Sequence, residues 1–216
     1  MTFRVKFSEQ GGSFRARFGQ TYNLSDGGYE RGYAAGYEEG ETEGYAKGVD
    51  DGSVSGLEDL FLKTIKRFSS DKVIAVESYT FMNCTELVEL NIPNLRSVPI
   101  SMCQNCAKLK QVIFPKITGG VGISAFQLNN SLEFADVGEA TSIGAAAFYN
   151  CQSLHTLIIR GSSVAPMGNS NALYNSLIYK GTGYIYVPDN LVDSYKAAVN
   201  WSTYASQIKP ISELEE

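Results

Sequence analysis

Histidine and tryptophan occur once each in this chain of 216 residues, as His155 and Trp201, and that scarcity removes much of the chemistry a small protein can perform. A structural zinc site takes four ligands, whereas His155 has only Cys151 near it in sequence. No metal or other cofactor is expected. There is no P-loop, no nucleophile elbow and no G-x-G-x-x-G after a strand, and the spacing of Ser, His and Asp gives no reason to bring them together. The acid pairs Glu38-Glu39 and Asp50-Asp51 read as solvated charge, and no enzyme is expected. Basic residues are also short: 18 Lys and Arg stand against 23 Asp and Glu, a net charge of −5. Phosphate binding needs clustered Lys and Arg, so nucleic acid is excluded as the main partner. No run approaches the ~18 apolar residues of a membrane span. The opening Met1-Thr2-Phe3-Arg4-Val5-Lys6-Phe7 lacks the apolar region of a secretory signal, so the expectation is synthesis in a cytoplasm, with any exterior role reached by another route such as an assembled particle.

What the sequence has in plenty is repetition. Phe81-Met82-Asn83-Cys84, followed by Leu87, Leu90, Ile92 and Pro93, is repeated by Cys103-Gln104-Asn105-Cys106 with Leu109, Val112, Phe114 and Pro115. A third copy runs Phe126-Gln127-Leu128-Asn129 with Leu132, Ala135 and Val137. The fourth runs Phe148-Tyr149-Asn150-Cys151 with Leu154, Leu157 and Ile159. A fixed period of this length marks a unit that cannot bury its own apolar face and does so by stacking on its neighbours, which is a solenoid.

The form A-F-x-N-C-x-x-L-x-x-L-x-I-P resembles the BspA-like branch of leucine-rich repeats, most fully at Ala147-Phe148-Tyr149-Asn150-Cys151-Gln152-Ser153-Leu154. The resemblance covers roughly residues 71–161. It implies a right-handed coil with a short strand in each turn, found mostly in microbial surface proteins that bind or adhere. Copies two and three depart from the form, with Cys103 in the aromatic slot and Leu128-Asn129 in place of Asn-Cys. Cys84, Cys106 and Cys151 share one template position, and all four cysteines are expected to be buried free thiols. A disulfide between stacked Cys84 and Cys106 is geometrically conceivable but does not suit a cytoplasmic origin.

Upstream, Phe3, Val5 and Phe7 alternate with Arg4 and Lys6, and Phe14 to Phe18 alternates around Arg15 and Arg17, with Gly11-Gly12 between. This predicts a β-hairpin with an apolar and a basic face. Two strands alone are marginal in water, so the apolar face must meet another subunit or a larger assembly. Glycine then falls at every fourth position: Gly28, Gly32, Gly36, Gly40, Gly44, Gly48 and Gly52, with Tyr29, Tyr33, Tyr37 and Tyr45 directly behind. On an α-helix these form a bare stripe bordered by tyrosines, with any supercoil right-handed because four exceeds 3.6. Each interior glycine costs about 1 kcal/mol against alanine, so the stripe makes sense as a helix only where backbones approach closely, in an oligomer. A flexible linker is the alternative, although Gly-Ser linkers lack such phase and tyrosine content. Residues 1–20 carry four bases against one acid and residues 21–52 eight acids against two bases. That asymmetry suits self-association, or else two solvated faces.

The hairpin, the G-Y-x-x-G-Y run from Gly27 to Tyr37 and the repeats, in that order, resemble small tail-associated proteins of phages and prophages. That wider resemblance implies an N-terminal attachment part and a C-terminal part held outward. The expected organisation is a mainly β or mixed chain: an attachment hairpin over 1–25, an oligomerising helix over 26–52, an N-cap and solenoid of about four repeats over 53–161, and a C-terminal helical cap over 162–216. The segment 57–70 is expected to cap the open core, as a strand rather than a helix. After Gly161 the pattern is expected to stop, with a polar loop over 162–176 and strands at Leu177–Lys180 and Tyr184–Val187. A helix N-capped by Asp189 then runs to about Val199, with Trp201, Tyr204 and Ile208 extending the cover.

Within each repeat the residues between the inward leucines face out. The candidate binding surface is therefore Glu89, Asn91, Gln111, Ile113, Phe134, Asp136, Thr156 and Ile158, with Ile113, Phe134 and Ile158 as a small apolar patch of the kind that often marks an interaction site. The functional expectation is a non-enzymatic virion protein of the tail, baseplate or fibre. Its N-terminus meets other virion proteins as a homo-oligomer, and its repeats meet a host-surface protein or glycan. The alternative is a bacterial surface adhesin or protein-interaction module.

Overall fold

The computed structural model describes residues 65–214, and of residues 3–7 and 13–16 the backbone strands alone. Strands β1 (Phe3–Phe7) and β2 (Ser13–Ala16) pair antiparallel, and β1 pairs antiparallel with β4 (Val73–Val76). The glycine–tyrosine stripe from Gly28 to Gly52, and residues 57–64 of the expected N-cap, lie outside the described residues. Within residues 65–70 the chain forms β3 (Arg67–Ser69).

A three-residue apolar strand buries almost nothing by itself. Here the turns stack so that each supplies its neighbour's missing core. The strands are β5 (Glu89–Asn91), β6 (Gln111–Ile113), β7 (Phe134–Asp136), β8 (Thr156–Ile158) and β9 (Tyr184–Val187). Parallel ladders join the strands of successive turns except between β5 and β6. β3 pairs with β5, while β6 to β9 form a continuous parallel sheet closed by β10 (Ile208–Pro210). Arg67 opposes Glu89, and Gln111, Phe134, Thr156 and Tyr184 stand in one row. The central residue of each strand points inward: Leu90, Val112, Ala135, Leu157 and Ile185 are all buried. So are Leu87, Leu109, Leu132 and Leu154, and Ile92, Phe114, Val137, Ile159 and Val187.

The corner between the aromatic and the first leucine explains the recurrent asparagine. Asn83, Asn105, Asn150 and Asn175 have φ of 63°, 60°, 58° and 62°, the left-handed region that Asn tolerates better than most side chains. The backbone N–H groups of the first three donate across to the next turn, Asn83 to Gln104 O at 2.8 Å, Asn105 to Gln127 O at 2.8 Å and Asn150 to Tyr174 O at 2.9 Å. Side chains add rungs: Asn105 Nδ2 donates to Asn83 Oδ1 at 3.0 Å, and Asn175 Nδ2 to Asn150 Oδ1 at 3.0 Å. Leu128 sits in the same conformation, φ 65°, without an amide to offer. Leu128→Asn should therefore stabilise the protein by about 1 kcal/mol, from relief of the left-handed penalty alone. Urea unfolding checks this, as a higher midpoint at unchanged m.

The cysteine column is buried throughout, and all four thiols are free. Cys106 Sγ donates to Phe81 O and Cys151 Sγ to Phe126 O, each at 3.0 Å. Burial pushes the Cys103 and Cys151 thiols up, and hydrogen bonding to Cys106 together with burial does the same for Cys84, so these three are protonated packing groups. In the third turn Asn129 fills the slot, and its Oδ1 accepts the Cys106 N–H at 2.7 Å. The small Cys103 in the aromatic slot is matched by a large residue in the same turn: Phe114 stands where other turns carry Ile92, Val137 or Ile159, and its ring stacks towards Phe126 with centroids 6.3 Å apart.

The repeat does not stop at Gly161, contrary to the sequence expectation. Ala165, Met167, Ala172 and Leu173 are buried within the expected polar loop, which also holds a 3-10 turn at Ser170–Leu173. Tyr174-Asn175-Ser176 takes the corner conformation of a further copy, Ser176 in the cysteine slot. Leu177–Lys180 is a turn, not a strand, and the chain returns to the sheet at β9. The expected long helix is shorter too: a 3-10 turn at Asp189–Leu191 leads into α1 (Val192–Ala197). Asp189 does not cap it. Its Oδ1 accepts the Ser212 N–H at 3.2 Å, and the Ser212 side chain, with that N–H, holds its carboxyl below the usual range. This end of the chain is aromatic: Tyr195, Trp201 and Tyr204 are buried. Trp201 Nε1 donates to Ala165 O at 2.7 Å, and Tyr195 Oη accepts the Ala165 N–H at 3.0 Å.

Candidate functional site

Alternation in three-residue strands leaves two outward rows on the sheet, and paired neighbours within a row sit one strand spacing apart, about 4.8 Å. The first row is Arg67 and Glu89, then Gln111, Phe134, Thr156 and Tyr184. The second is Ser69 and Asn91, then Ile113, Asp136, Ile158 and Tyr186. At the N-terminal end the rows are tied laterally, by Arg67 Nε to Glu89 Oε2 at 3.5 Å and by Asn91 Nδ2 donating to Ser69 Oγ at 3.1 Å. Both partners of the ion pair are exposed, so it fixes orientation more than it stabilises.

A groove of about 680 Å³ runs along this face. It brings together five of the eight residues expected from the sequence: Glu89, Asn91, Gln111, Ile113 and Phe134. Ile113 is 45% exposed and is the apolar centre, while Phe134 is half-buried beside it. Glu89, Asn91 and Gln111 are exposed. Thr156 is half-buried, its Oγ1 2.8 Å from His155 Nδ1.

Two of the eight do not belong to an open surface. Ile158 is only 1% exposed, because the array continues beyond it: Tyr186 of β9 stands in register on one side and Asp136 on the other. Asp136 is also buried. Its Oδ1 accepts the Gly138 N–H at 3.0 Å, and its Oδ2 accepts Arg160 Nε at 3.0 Å and Nη2 at 2.7 Å. That carboxylate closes a turn and an ion pair, a structural role. The apolar patch is consequently smaller than expected and shifted towards the N-terminal turns, where Val88 joins Ile113 and Phe134.

The groove also takes in Arg67 of the first row and four residues that strand alternation does not reveal: Val88, Lys110, Glu133 and His155. These four occupy one template position, directly after an inward leucine, and form the near wall. The repeated offset was the available signal. Charges of both signs around an exposed apolar centre suit a protein partner, through local complementarity rather than net field.

Among the described residues no group of three or more His, Cys, Asp or Glu could hold a metal ion. Among the same residues no helix is long and apolar enough to cross a membrane. The glycine and tyrosine residues expected to drive oligomerisation fall outside the described region.

The family model of the BspA type leucine rich repeat region matches residues 61–179 in six copies, two more than the four read from the spacing. Among solved structures the chain is similar to a leucine-rich repeat protein from Bacteroides ovatus ATCC 8483, with 17% sequence identity and a TM-score of 0.34 over 60% of this chain. The chain spans 41% of the length of that protein. No curated protein matches. With more than half of its residues under one repeat model and the strands stacked turn on turn, the chain belongs to the BspA-type leucine-rich repeat family.

Proposed function

We propose that this protein is a non-enzymatic component of a phage virion, joined to the particle through its N-terminal segment and presenting the strand face of its repeats to a host-surface protein. The observation that carries the binding half is the groove over β5, β6 and β7, where an exposed Ile113 and a half-buried Phe134 are ringed by Glu89, Lys110, Gln111 and Glu133. A rigid stack of parallel strands holds these side chains at fixed spacing, which lowers the ordering cost of binding. The attachment half is supported by sequence: the apolar and basic alternation of residues 3–18, the glycine stripe from Gly28 to Gly52 with its tyrosine border, and the order of these parts before the repeats. In this division of labour the glycine stripe lets copies pack backbone to backbone and the repeats point outward.

Particles purified after prophage induction of the source bacterium test the reading. Mass spectrometry should find this chain in stoichiometric amount with other virion proteins, and antibodies against the strand face should label intact particles. Recovery of the chain only from cell envelopes or cytoplasm, with none in particles, would contradict it.

A further inference from the structure

We propose that the tyrosine row at the C-terminal end of the array, Tyr149, Tyr174 and Tyr179, binds an uncharged oligosaccharide. This site lies at the asparagine corners, away from the strand face, and stands independently of the virion reading. Tyr149 and Tyr174 occupy one template position in successive turns, so the solenoid stacks their rings with centroids 5.2 Å apart and planes at 19°. Tyr179 closes the row, 4.9 Å from Tyr174 and tilted by 54°. Aromatic rings that stack only to fill space are normally covered, yet Tyr174 is 39% and Tyr179 48% exposed.

The same template position continues backwards as Gln127 and Gln104, whose side chains are bonded to each other, Gln104 Nε2 donating to Gln127 Oε1 at 3.1 Å. Beside the rings runs the rung from Asn175 Nδ2 to Asn150 Oδ1. That rung uses one donor of Asn175 and one lone pair of Asn150, and a carboxamide carries two of each, so the row keeps hydrogen-bonding capacity for hydroxyl groups.

Charge is what separates this strip from the strand face. Gln104, Gln127, Tyr149, Asn150, Tyr174 and Asn175 are all uncharged, in a chain of net charge −5, and Lys180 follows directly after Tyr179. No arginine lies among them to grip a carboxylate or phosphate. Rigid tyrosine rings offer an apolar body for the C–H face of a sugar and a hydroxyl at the rim, at low conformational cost because each has only two side-chain torsions. Amides flanking stacked rings, without charge, are the chemistry of a neutral glycan site. Tyr149 and Tyr174 stand one turn of the coil apart and Tyr179 adds a third ring within the last turn, a row long enough for successive sugar units.

The test is calorimetric titration of the full chain with four neutral probes, the hexasaccharides of cellulose, xylan, starch and chitin, and with one acidic probe, hexagalacturonate. At least one neutral probe should bind. Tyr179→Ala should weaken it by about tenfold or more, and Tyr179→Phe should keep it, because the stacking ring remains. Phe134→Asp, on the strand face, should leave it unchanged. Tyr179 is about half exposed, so Tyr179→Ala should fold, and an unaltered circular dichroism melt establishes that. Binding of none of the neutral probes, binding that survives Tyr179→Ala, or binding of hexagalacturonate alone would overturn the proposal.

Discussion

Gly144→Ala should lower the melting temperature by roughly 6–12 °C, a large effect for adding one methyl group. Its Cβ would stand 2.5 Å from the Gly122 carbonyl carbon and 2.6 Å from the Ile123 nitrogen, both backbone of the preceding turn. Neither can move freely, since Gly144 N–H donates to Val121 O at 2.7 Å and Val121 bridges Ile143 in the ladder that ties the turns together. Gly122 and Gly168 stand in the same column and press on their preceding turns in the same way. Overpacking costs typically about 1–3 kcal/mol, and rigid backbone on the far side puts this site at the top of that range. At about 2–4 °C per kcal/mol for a chain of this size, the stated shift follows. Gly161→Ala is the control: its Cβ would come no closer than 3.6 Å to any atom, and its melting should barely change.

Phe126→Ala should be costlier still, about 3–5 kcal/mol by calorimetry or denaturant unfolding. The ring is fully buried in the middle of the stack, 5.2 Å and 15° from Phe148 on one side and 6.3 Å from Phe114 on the other. Each turn of a solenoid contacts only its neighbours, so a void here weakens two interfaces at once and separates the N-terminal turns from the capped C-terminal ones. Loss of a single cooperative transition would accompany the loss of stability. Ile113→Ala removes a comparable apolar side chain from the surface of the preceding turn and should cost within about 0.5 kcal/mol.

The contrast between Phe126 and Ile113 also shows how much of this protein can be read in its residues. Inward and outward positions in turns β5 and β6 follow from alternation alone, because those turns have uniform neighbours. Ile158 was misread for a physical reason: its exposure depends on whether another turn follows, and the following copy is degenerate. Leu173 replaces the aromatic, Ser176 replaces the cysteine, and the step from Asn150 to Asn175 is longer than the earlier steps, so the period breaks while the fold continues. Asp189 was misread because its partner, Ser212, is distant in sequence and only the return of the chain to β10 brings them together. The groove wall of Val88, Lys110, Glu133 and His155 was legible in principle, since it keeps one offset from the leucines. Its residue types vary too much to draw the eye. The structural fate of the glycine stripe lies beyond residues 65–214, and its reading rests on spacing and composition.

The measurement that bears most directly on the strand face as a working surface is adsorption by particles carrying Ile113→Asp together with Phe134→Asp. Both changes put charge into the apolar centre of the groove without touching the inward rows, so the purified variant should melt within a few degrees of the original chain. Particles should still contain the protein and should lose adsorption to their host. Particles that carry the doubly substituted chain and adsorb as before would contradict the assignment.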